Sequence, residues 1–119
     1  TQDLHSFPTR RSSDLEKNIL TNLKFIAADV SKYLRKISQG NKQADLILVD
    51  PPRKGMDKSV VDGIMESGAK NVFYISCNLS LATRDLKVLS TKYKLTKAKP
   101  FVMFPQTDHV ESFFKLELR

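Results

Sequence analysis

Two carboxylates and one thiol stand at the ends of apolar runs in this sequence. Each run has the length of a β-strand: residues 23–28 before Asp29, residues 44–49 before Asp50, and residues 71–76 before Cys77. A thiolate is a strong nucleophile, and a carboxylate can accept a proton or face a positive charge. If the runs are neighbouring strands, these side chains lie near one edge of a sheet, where open α/β sheets bind ligands. The pattern therefore indicates a candidate site for nucleophilic chemistry.

Cys77 is the only cysteine in the chain. Because free cysteine is among the most buried residue types, an inert core position is the alternative to a catalytic one. Its place between a predicted strand and a predicted helix favours reactivity, since amide groups at a helix N-terminus stabilise a thiolate. A single cysteine excludes an internal disulfide and fits a reducing compartment. We therefore interpret Cys77 as a candidate nucleophile.

Further polar groups come from residues 102–111, a loop between two predicted strands. Glu111 could act there as a proton acceptor, and the alternative is a solvated carboxylate at the start of a strand. We interpret His109 as a surface or loop-packing residue rather than a base. Asp29 also has an alternative role, because an aspartate at such a position often caps the following helix.

The elements that must position these groups alternate between strand-like and helical runs, which predicts an α/β fold with right-handed crossovers. The predicted strands are residues 23–28, 44–49, 71–76, 94–104 and 111–118, and the predicted helices start at Glu16, at Ser31, after Asp57 and after Asn78. The unalternated apolar run at residues 44–49 indicates a parallel strand that is covered on both faces. The last two strands have no helix between them, so we expect them to pair antiparallel at the edge of the sheet.

Helical spacing predicts which side chains face the core. The inward residues are expected to be Tyr33, Leu34 and Ile37 in the second helix, Val60, Val61, Ile64 and Met65 in the third, and Leu79, Ala82, Leu86 and Leu89 in the fourth. In the fourth helix, we expect the charged residues Arg84, Asp85 and Lys87 to face solvent.

The composition is basic, with a formal net charge of +7 at pH 7 and a pI of about 9.6. This balance suits an anionic partner such as nucleic acid. No apolar run approaches the roughly 20 residues that span a bilayer, and the first 15 residues lack the apolar core of a signal peptide. We therefore expect a soluble, cytoplasmic monomer without membrane contact.

Residues 1–15, TQDLHSFPTRRSSDL, show neither helical nor strand periodicity and hold few apolar residues. Within them, HSFPTRRSSDL resembles the translation of a common short-read sequencing adapter. We interpret residues 1–15 as a disordered segment or as a sequencing-adapter artefact, and we expect the fold to begin at residue 16.

Three motifs in order resemble the RNA uracil-5 methyltransferases, which make 5-methyluridine in ribosomal and transfer RNA. They are Asp-Pro-Pro-Arg-Lys-Gly at 50–55, Ser-Cys-Asn at 76–78 with Arg84 and Asp85 after it, and Met-Phe-Pro-Gln-Thr at 103–107 with His-Val-Glu-Ser at 109–112. The resemblance covers residues 16–119. It implies the C-terminal part of a Rossmann-like class I methyltransferase domain, with a mostly parallel sheet and an antiparallel C-terminal edge.

The resemblance also implies a donor, an acceptor and roles for four residues. S-adenosyl-L-methionine is the implied methyl donor, and a uridine in RNA is the acceptor, with ribosomal RNA favoured over transfer RNA. Cys77 matches the family nucleophile that adds to C6 of uracil, and Glu111 matches the residue that removes the C5 proton. Asp29 and Asp50 match positions that line the donor site. No metal ligand is implied, and the basic residues Arg53, Lys54 and Arg84 are candidates for phosphate contacts.

The sequence departs from the family pattern in three respects. Leu79 stands where the family usually has proline, Val102 stands where an aspartate is common, and residues 1–40 hold no glycine-rich turn for the donor. We therefore expect a truncated C-terminal portion, inactive or weakly active alone and poorly stable because of an open apolar sheet edge. The alternative function is a catalytically inactive basic α/β module that binds RNA or protein.

Overall fold

The computed structural model describes residues 22–40, 43–102 and 110–119. Its elements are α1 (Val30–Gln39), β1 (Leu46–Val49), α2 (Lys58–Ser67), β2 (Asn71–Ser76), α3 (Leu79–Leu89), β3 (Tyr93–Val102) and β4 (Val110–Leu118). The alternation confirms the predicted α/β class. The helix predicted from Glu16 and the loop residues 103–109 lie outside the described residues. Within the described ranges, no helix is long and apolar enough to cross a membrane.

The described strands form one four-stranded mixed sheet in the order β1-β2-β4-β3. β1 and β2 are parallel, whereas β4 is antiparallel to both β2 and β3. The antiparallel pairing of the last two strands is therefore confirmed, but this part of the sheet is not mostly parallel. The reason is that β4 returns from β3 without a crossover helix and lies between β2 and β3, which creates two antiparallel ladders.

One face of the sheet packs against the helices to form the core. In β2 the buried side chains alternate along the strand, as expected for a strand with one core face. The core residues contributed by the strands are Val49, Val72, Tyr74, Tyr93, Phe114 and Leu116, and those from the helices are Leu34, Val60, Val61, Ile64, Ala82 and Leu89.

The other face of β1 is open in the described structure. Leu46 is 46% exposed and Leu48 is 62% exposed, whereas Val49 is buried. The prediction that this strand is covered on both faces is therefore wrong for the described residues. Because β1 is the edge strand, its alternate side chains contact the helices and the remaining ones project away from them.

Residues 23–28 were predicted as a buried strand, and that prediction is wrong: they form an irregular segment outside the four-stranded sheet. Leu23 is 37% exposed. A short apolar run has strand composition, but a strand also needs a neighbouring ladder, and composition does not reveal whether one is present. The helix that follows, α1, begins and ends within one residue of the prediction.

Helix faces agree with the helical spacing except at three positions. Tyr33 and Leu79 were expected to face the core, yet they are 37% and 63% exposed. Leu79 is the first residue of α3. Asp85 was expected in solvent and is only 2% exposed. This buried carboxylate is central to the candidate site.

Candidate active site

Asp50 and Cys77 lie at the same end of the sheet, where the parallel strands β1 and β2 have their carboxyl ends. Val49, the last residue of β1, is paired with Tyr74 of β2. Asp50 follows Val49 directly, and Cys77 lies three residues beyond Tyr74, just past the end of β2. Neighbouring strands lie about 4.8 Å apart. The two residues therefore follow the carboxyl ends of adjacent parallel strands.

Glu111 lies at the same end of the sheet, because β4 runs antiparallel to β2 and begins where β2 ends. Ser76, the last residue of β2, is paired with Ser112 of β4. The ladder ends with this pair, and the next residues at that end are Cys77, just after β2, and Glu111, in β4. Glu111 is half-buried and is also paired with Phe101 of β3. Three of the four predicted site residues thus lie at one edge.

Local hydrogen bonds fix the turn that carries Cys77. The Ser76 hydroxyl donates to the carbonyl of Asn78 at 2.8 Å and accepts from its backbone N–H at 3.0 Å. The Asn78 side chain caps α3 by accepting from the backbone N–H of Leu81 at 3.3 Å. The free thiol of Cys77 is half-exposed. The alternative of a fully buried core cysteine is therefore not what the structure shows.

Asp50 is the first residue of a loop whose conformation is set by two prolines and a glycine. Asp50 is exposed, whereas the next residue, Pro51, is buried. Two prolines cannot donate to a sheet ladder, so β1 ends there. The backbone N–H of Gly55 donates to the carbonyl of Pro52 at 2.8 Å, and Gly55 has a φ of +82°, a conformation that glycine adopts without strain. The loop is therefore a defined turn.

Asp85 links this loop to β2 and α3. One carboxylate oxygen, Oδ2, accepts from the Tyr74 hydroxyl at 2.6 Å and from the backbone N–H of Met56 at 3.2 Å. The other, Oδ1, accepts from Nε and Nη2 of Arg84 at 3.2 Å and 3.1 Å. Arg84 Nη2 also donates to the carbonyl of Met56 at 3.0 Å. We call these four residues, Tyr74, Asp85, Arg84 and Met56, the Asp85 network.

Charge and burial shape the chemistry of this network. Burial raises the pKa of Tyr74 far above its ordinary value, and the hydrogen bond to Asp85 together with its negative charge raises it further. The hydroxyl therefore remains a proton donor at all physiological pH values. The sequence contains a signal for the burial of Asp85, because it lies between Ala82 and Leu89 on the apolar stripe of α3.

Asp29 lies at the N-terminus of α1. Its Oδ1 accepts from the Ser31 hydroxyl at 2.6 Å and from the backbone N–H of Lys32 at 3.1 Å. These two hydrogen bonds, the Ser31 bond first, hold the pKa of Asp29 below its ordinary value. The structure thus shows the alternative role as a helix cap. Asp29 follows no strand of the described sheet, and its part in donor binding stays a prediction.

Three basic side chains flank the loop that Asp50 begins. Arg53 and Lys54 are exposed, and the Arg84 side chain is 52% exposed despite its bonds to Asp85. Lys54 and Arg84 line a groove of about 390 Å³ that also includes Lys58. His109 lies outside the described residues. Among residues 22–40, 43–102 and 110–119, no group of three or more His, Cys, Asp or Glu side chains could hold a metal ion.

Curated relatives of this chain are RNA methyltransferases by name. One from Fusobacterium nucleatum subsp. nucleatum is 44% identical over 97 residues, which are 81% of this chain and 21% of that protein. Another from Bacteroides thetaiotaomicron is 41% identical over 105 residues, which are 87% of this chain and 23% of that protein. Both are described as uncharacterized RNA methyltransferases. The chain therefore spans less than a quarter of the length of either relative.

A solved structure and a family model agree with these relatives. The crystal structure of Pyrococcus abyssi tRNA (uracil-54, C5)-methyltransferase in complex with S-adenosyl-L-homocysteine matches with a TM-score of 0.71 and 29% identity. The match covers 89% of this chain and 24% of that protein. The model of the tRNA (Uracil-5-)-methyltransferase family matches residues 15–119. Because that match covers almost the whole chain, the protein belongs to the tRNA (Uracil-5-)-methyltransferase family.

Proposed function

We propose that this chain is the catalytic C-terminal portion of an enzyme that transfers a methyl group from S-adenosyl-L-methionine to C5 of a uridine in RNA. The observation that carries the proposal is the strand register, which gathers Asp50, Cys77 and Glu111 at one edge of the sheet. The reaction requires a thiol that attacks C6 and a carboxylate that removes the C5 proton, and a further carboxylate can face the cationic donor. Family membership supports the same reaction.

Cys77 acts first, because C5 of uracil is a poor nucleophile on its own. The Cys77 thiolate forms a bond to C6, and the electron pair of the C5=C6 double bond moves to C5 and its neighbouring carbonyl as an enolate. The half-exposed thiol and its fixed turn suit this step, since an incoming ring can reach the sulfur. C5 thereby becomes nucleophilic.

Glu111 completes the reaction once C5 carries the methyl group. Its carboxylate removes the remaining proton from C5, and that electron pair re-forms the C5=C6 double bond. The Cys77 sulfur then leaves C6 as a thiolate, which regenerates the enzyme. The placement of Glu111 one register step beyond the Ser76–Ser112 pair supports this role, because the acceptor of the proton must lie beside the attacked ring.

The exposed carboxylates fit a positively charged methyl donor. S-adenosyl-L-methionine, when bound, supplies an electrophilic methyl group on a cationic sulfur. Asp50 is an exposed acid that follows β1 directly, so it can face that positive charge beside Cys77. Asp29 is also exposed, and its lowered pKa keeps it anionic at neutral pH. We propose that both residues help to hold the donor.

An RNA substrate fits the basic surface of the chain. The net charge of +7 favours a polyanion; Arg53 and Lys54 lie in the loop that begins at Asp50, and Arg84 donates to the Met56 carbonyl of that loop. A uridine in folded RNA must leave its stack to reach a cysteine at a sheet edge. We propose ribosomal RNA as the substrate, and transfer RNA is the alternative that the experiment below includes.

The test uses the full-length gene product that carries this sequence. It is incubated with S-adenosyl-L-methionine and RNA containing 5-fluorouridine, which has fluorine in place of the proton that Glu111 removes, so the covalent adduct cannot resolve once C5 is methylated. We expect the parent to form the adduct and Cys77→Ala to form none. The control is Ser80→Ala, an exposed position in the helix that follows the turn, and it should form the adduct like the parent. Parental methylation of uridine RNA by Cys77→Ala would refute the assignment.

The choice of RNA is tested with labelled donor and separate transcripts of 23S ribosomal RNA and transfer RNA. We expect label at C5 of a uridine in the ribosomal transcript. Label in transfer RNA alone would correct the substrate and leave the chemistry intact. RNA binding without adduct or label in either transcript would instead support a non-catalytic binding module.

A further inference from the structure

We infer that Asp85 is a positioning residue for the methyl transfer, holding the loop that begins at Asp50 in register with the turn that carries Cys77. This inference rests on the proposed function, because it concerns the relative placement of two groups in that reaction. The observation behind it is a buried carboxylate on helix α3 that contacts two other elements, strand β2 and the loop between β1 and α2.

The Asp85 network binds both backbone polar groups of Met56, the N–H and the carbonyl. Asp85 accepts the Met56 N–H, and Arg84 donates to the Met56 carbonyl. Met56 itself is 4% exposed, and its bond to Asp85 is buried, whereas its bond to Arg84 is part-buried. A loop whose N–H and C=O are both bound to one helix cannot shift along that helix without breaking both hydrogen bonds, one of them buried.

Gly55 brings the same loop into close contact with α3. A Cβ atom at Gly55 would lie 3.2 Å from Cβ of Leu81 and 3.5 Å from Oδ2 of Asp85. The loop backbone therefore packs directly on the helix that starts two residues after Cys77. Together these contacts connect the proposed donor-side carboxylate of Asp50 to the helix behind the proposed nucleophile.

Burial alone does not account for a carboxylate at this position. Asp85 lies on the apolar stripe of α3, where leucine would fill the same face without the cost of removing a charge from water. The carboxylate instead accepts from two backbone or side-chain donors and from a guanidinium, and so it specifies one arrangement of loop, strand and helix. A misplacement of about 1 Å between reacting groups can reduce a rate by up to about 100-fold.

The test is Asp85→Asn in the full-length gene product. The amide oxygen can still accept from Tyr74 and Met56, but the amide nitrogen meets the Arg84 guanidinium donor to donor, so the Arg84 connection is lost. The matched control is Asp45→Asn, which removes an exposed ion pair with Lys70 at 3.5 Å. Competent sites are counted by the end point of adduct formation with 5-fluorouridine RNA, and kcat is expressed per counted site.

We expect kcat per site to fall between about tenfold and 100-fold in Asp85→Asn and to stay parental in Asp45→Asn. A purely structural role would lower the number of competent sites or the melting temperature but not kcat per site.

If Asp85→Asn does not fold, Tyr74→Phe provides the measurement. It removes one donor to Oδ2 and keeps the ring and the Met56 bonds, and we expect a loss of about fivefold in kcat per site, the equivalent of one hydrogen bond. Parental kcat per site in the variant that folds, beside an active parent, overturns this inference alone. A parent that neither forms the adduct nor methylates RNA overturns the proposed function, and this inference with it.

Discussion

Gly55→Ala should destabilise the chain more than any ordinary glycine substitution in a turn. Gly55 has a φ of +82°, and a Cβ there would lie 2.7 Å from Nη2 of Arg84 and 3.2 Å from Cβ of Leu81. The Arg84 nitrogen cannot move away without cost, because it donates to Met56 and pairs with Asp85. Both backbone strain and a steric clash therefore oppose the substitution.

The two costs can be estimated separately. A left-handed backbone conformation costs a residue with a Cβ about 1–2 kcal/mol. Displacing Arg84 breaks hydrogen bonds that involve its charge, but its side chain is 52% exposed and water replaces part of them, so about 1 kcal/mol is a fair value. We expect Gly55→Ala to lower the free energy of unfolding by about 2–3 kcal/mol, the sum of the two terms.

Gly68→Ala is the matched control. Gly68 also has a positive φ, +65°, but the nearest atom to its Cβ would be Nε2 of Gln43 at 3.6 Å, an ordinary contact. This variant should therefore lose only the backbone term of about 1–2 kcal/mol. Urea unfolding of the 119-residue chain, followed by circular dichroism, measures the free energy of unfolding of both variants. We expect the dependence of that free energy on urea concentration to be the same for both. The close packing of Gly55 on α3 would be refuted if Gly55→Ala were no more destabilising than Gly68→Ala.

Three further predictions concern other parts of the molecule. Asp29→Ala should lower the melting temperature at neutral pH. Hydrogen bonds from Ser31 and Lys32 keep the folded-state pKa of Asp29 below 3.8. The difference in melting temperature from the parent should therefore vanish as the pH falls through that lowered pKa. Glu111→Gln should let the adduct with uridine RNA accumulate, visible as a protein band of reduced mobility on denaturing gels, since the C5 proton loses its acceptor. Leu48→Lys should reduce light scattering of the isolated chain without lowering its melting temperature, because this leucine is 62% exposed on the open face of β1.

Local patterns in the sequence were sufficient to predict most of the elements. The strand Asn71–Ser76 matches its predicted bounds, and α2 begins directly after Asp57, as predicted. These signals act within a few residues, so they survive without knowledge of the tertiary structure. The convergence of Asp50 and Cys77 followed from the same signals, because each lies at the end of a predicted parallel strand.

Long-range features were beyond those patterns. The prediction of a strand at residues 23–28 was wrong because the apolar run does not reveal whether a neighbouring strand pairs with it. Asp85 was placed in solvent because its charge outweighed its position on the apolar stripe of α3. Its burial depends on donors that are 11 and 29 positions away in sequence, Tyr74 and Met56. A charged residue on an apolar stripe becomes interpretable only when such partners are known.

Tyr74 connects the two structures that hold the loop between Asp50 and Met56. Its backbone pairs with Val49, the residue immediately before the loop. Its hydroxyl binds Asp85, which in turn binds the backbone of Met56, the residue immediately after Gly55. β1 has only four residues and lies at the edge of the sheet, so its ladder alone would hold Asp50 weakly. Because both ends of the loop are tied to one buried residue of β2, the position of Asp50 follows that of the strand that ends at Cys77.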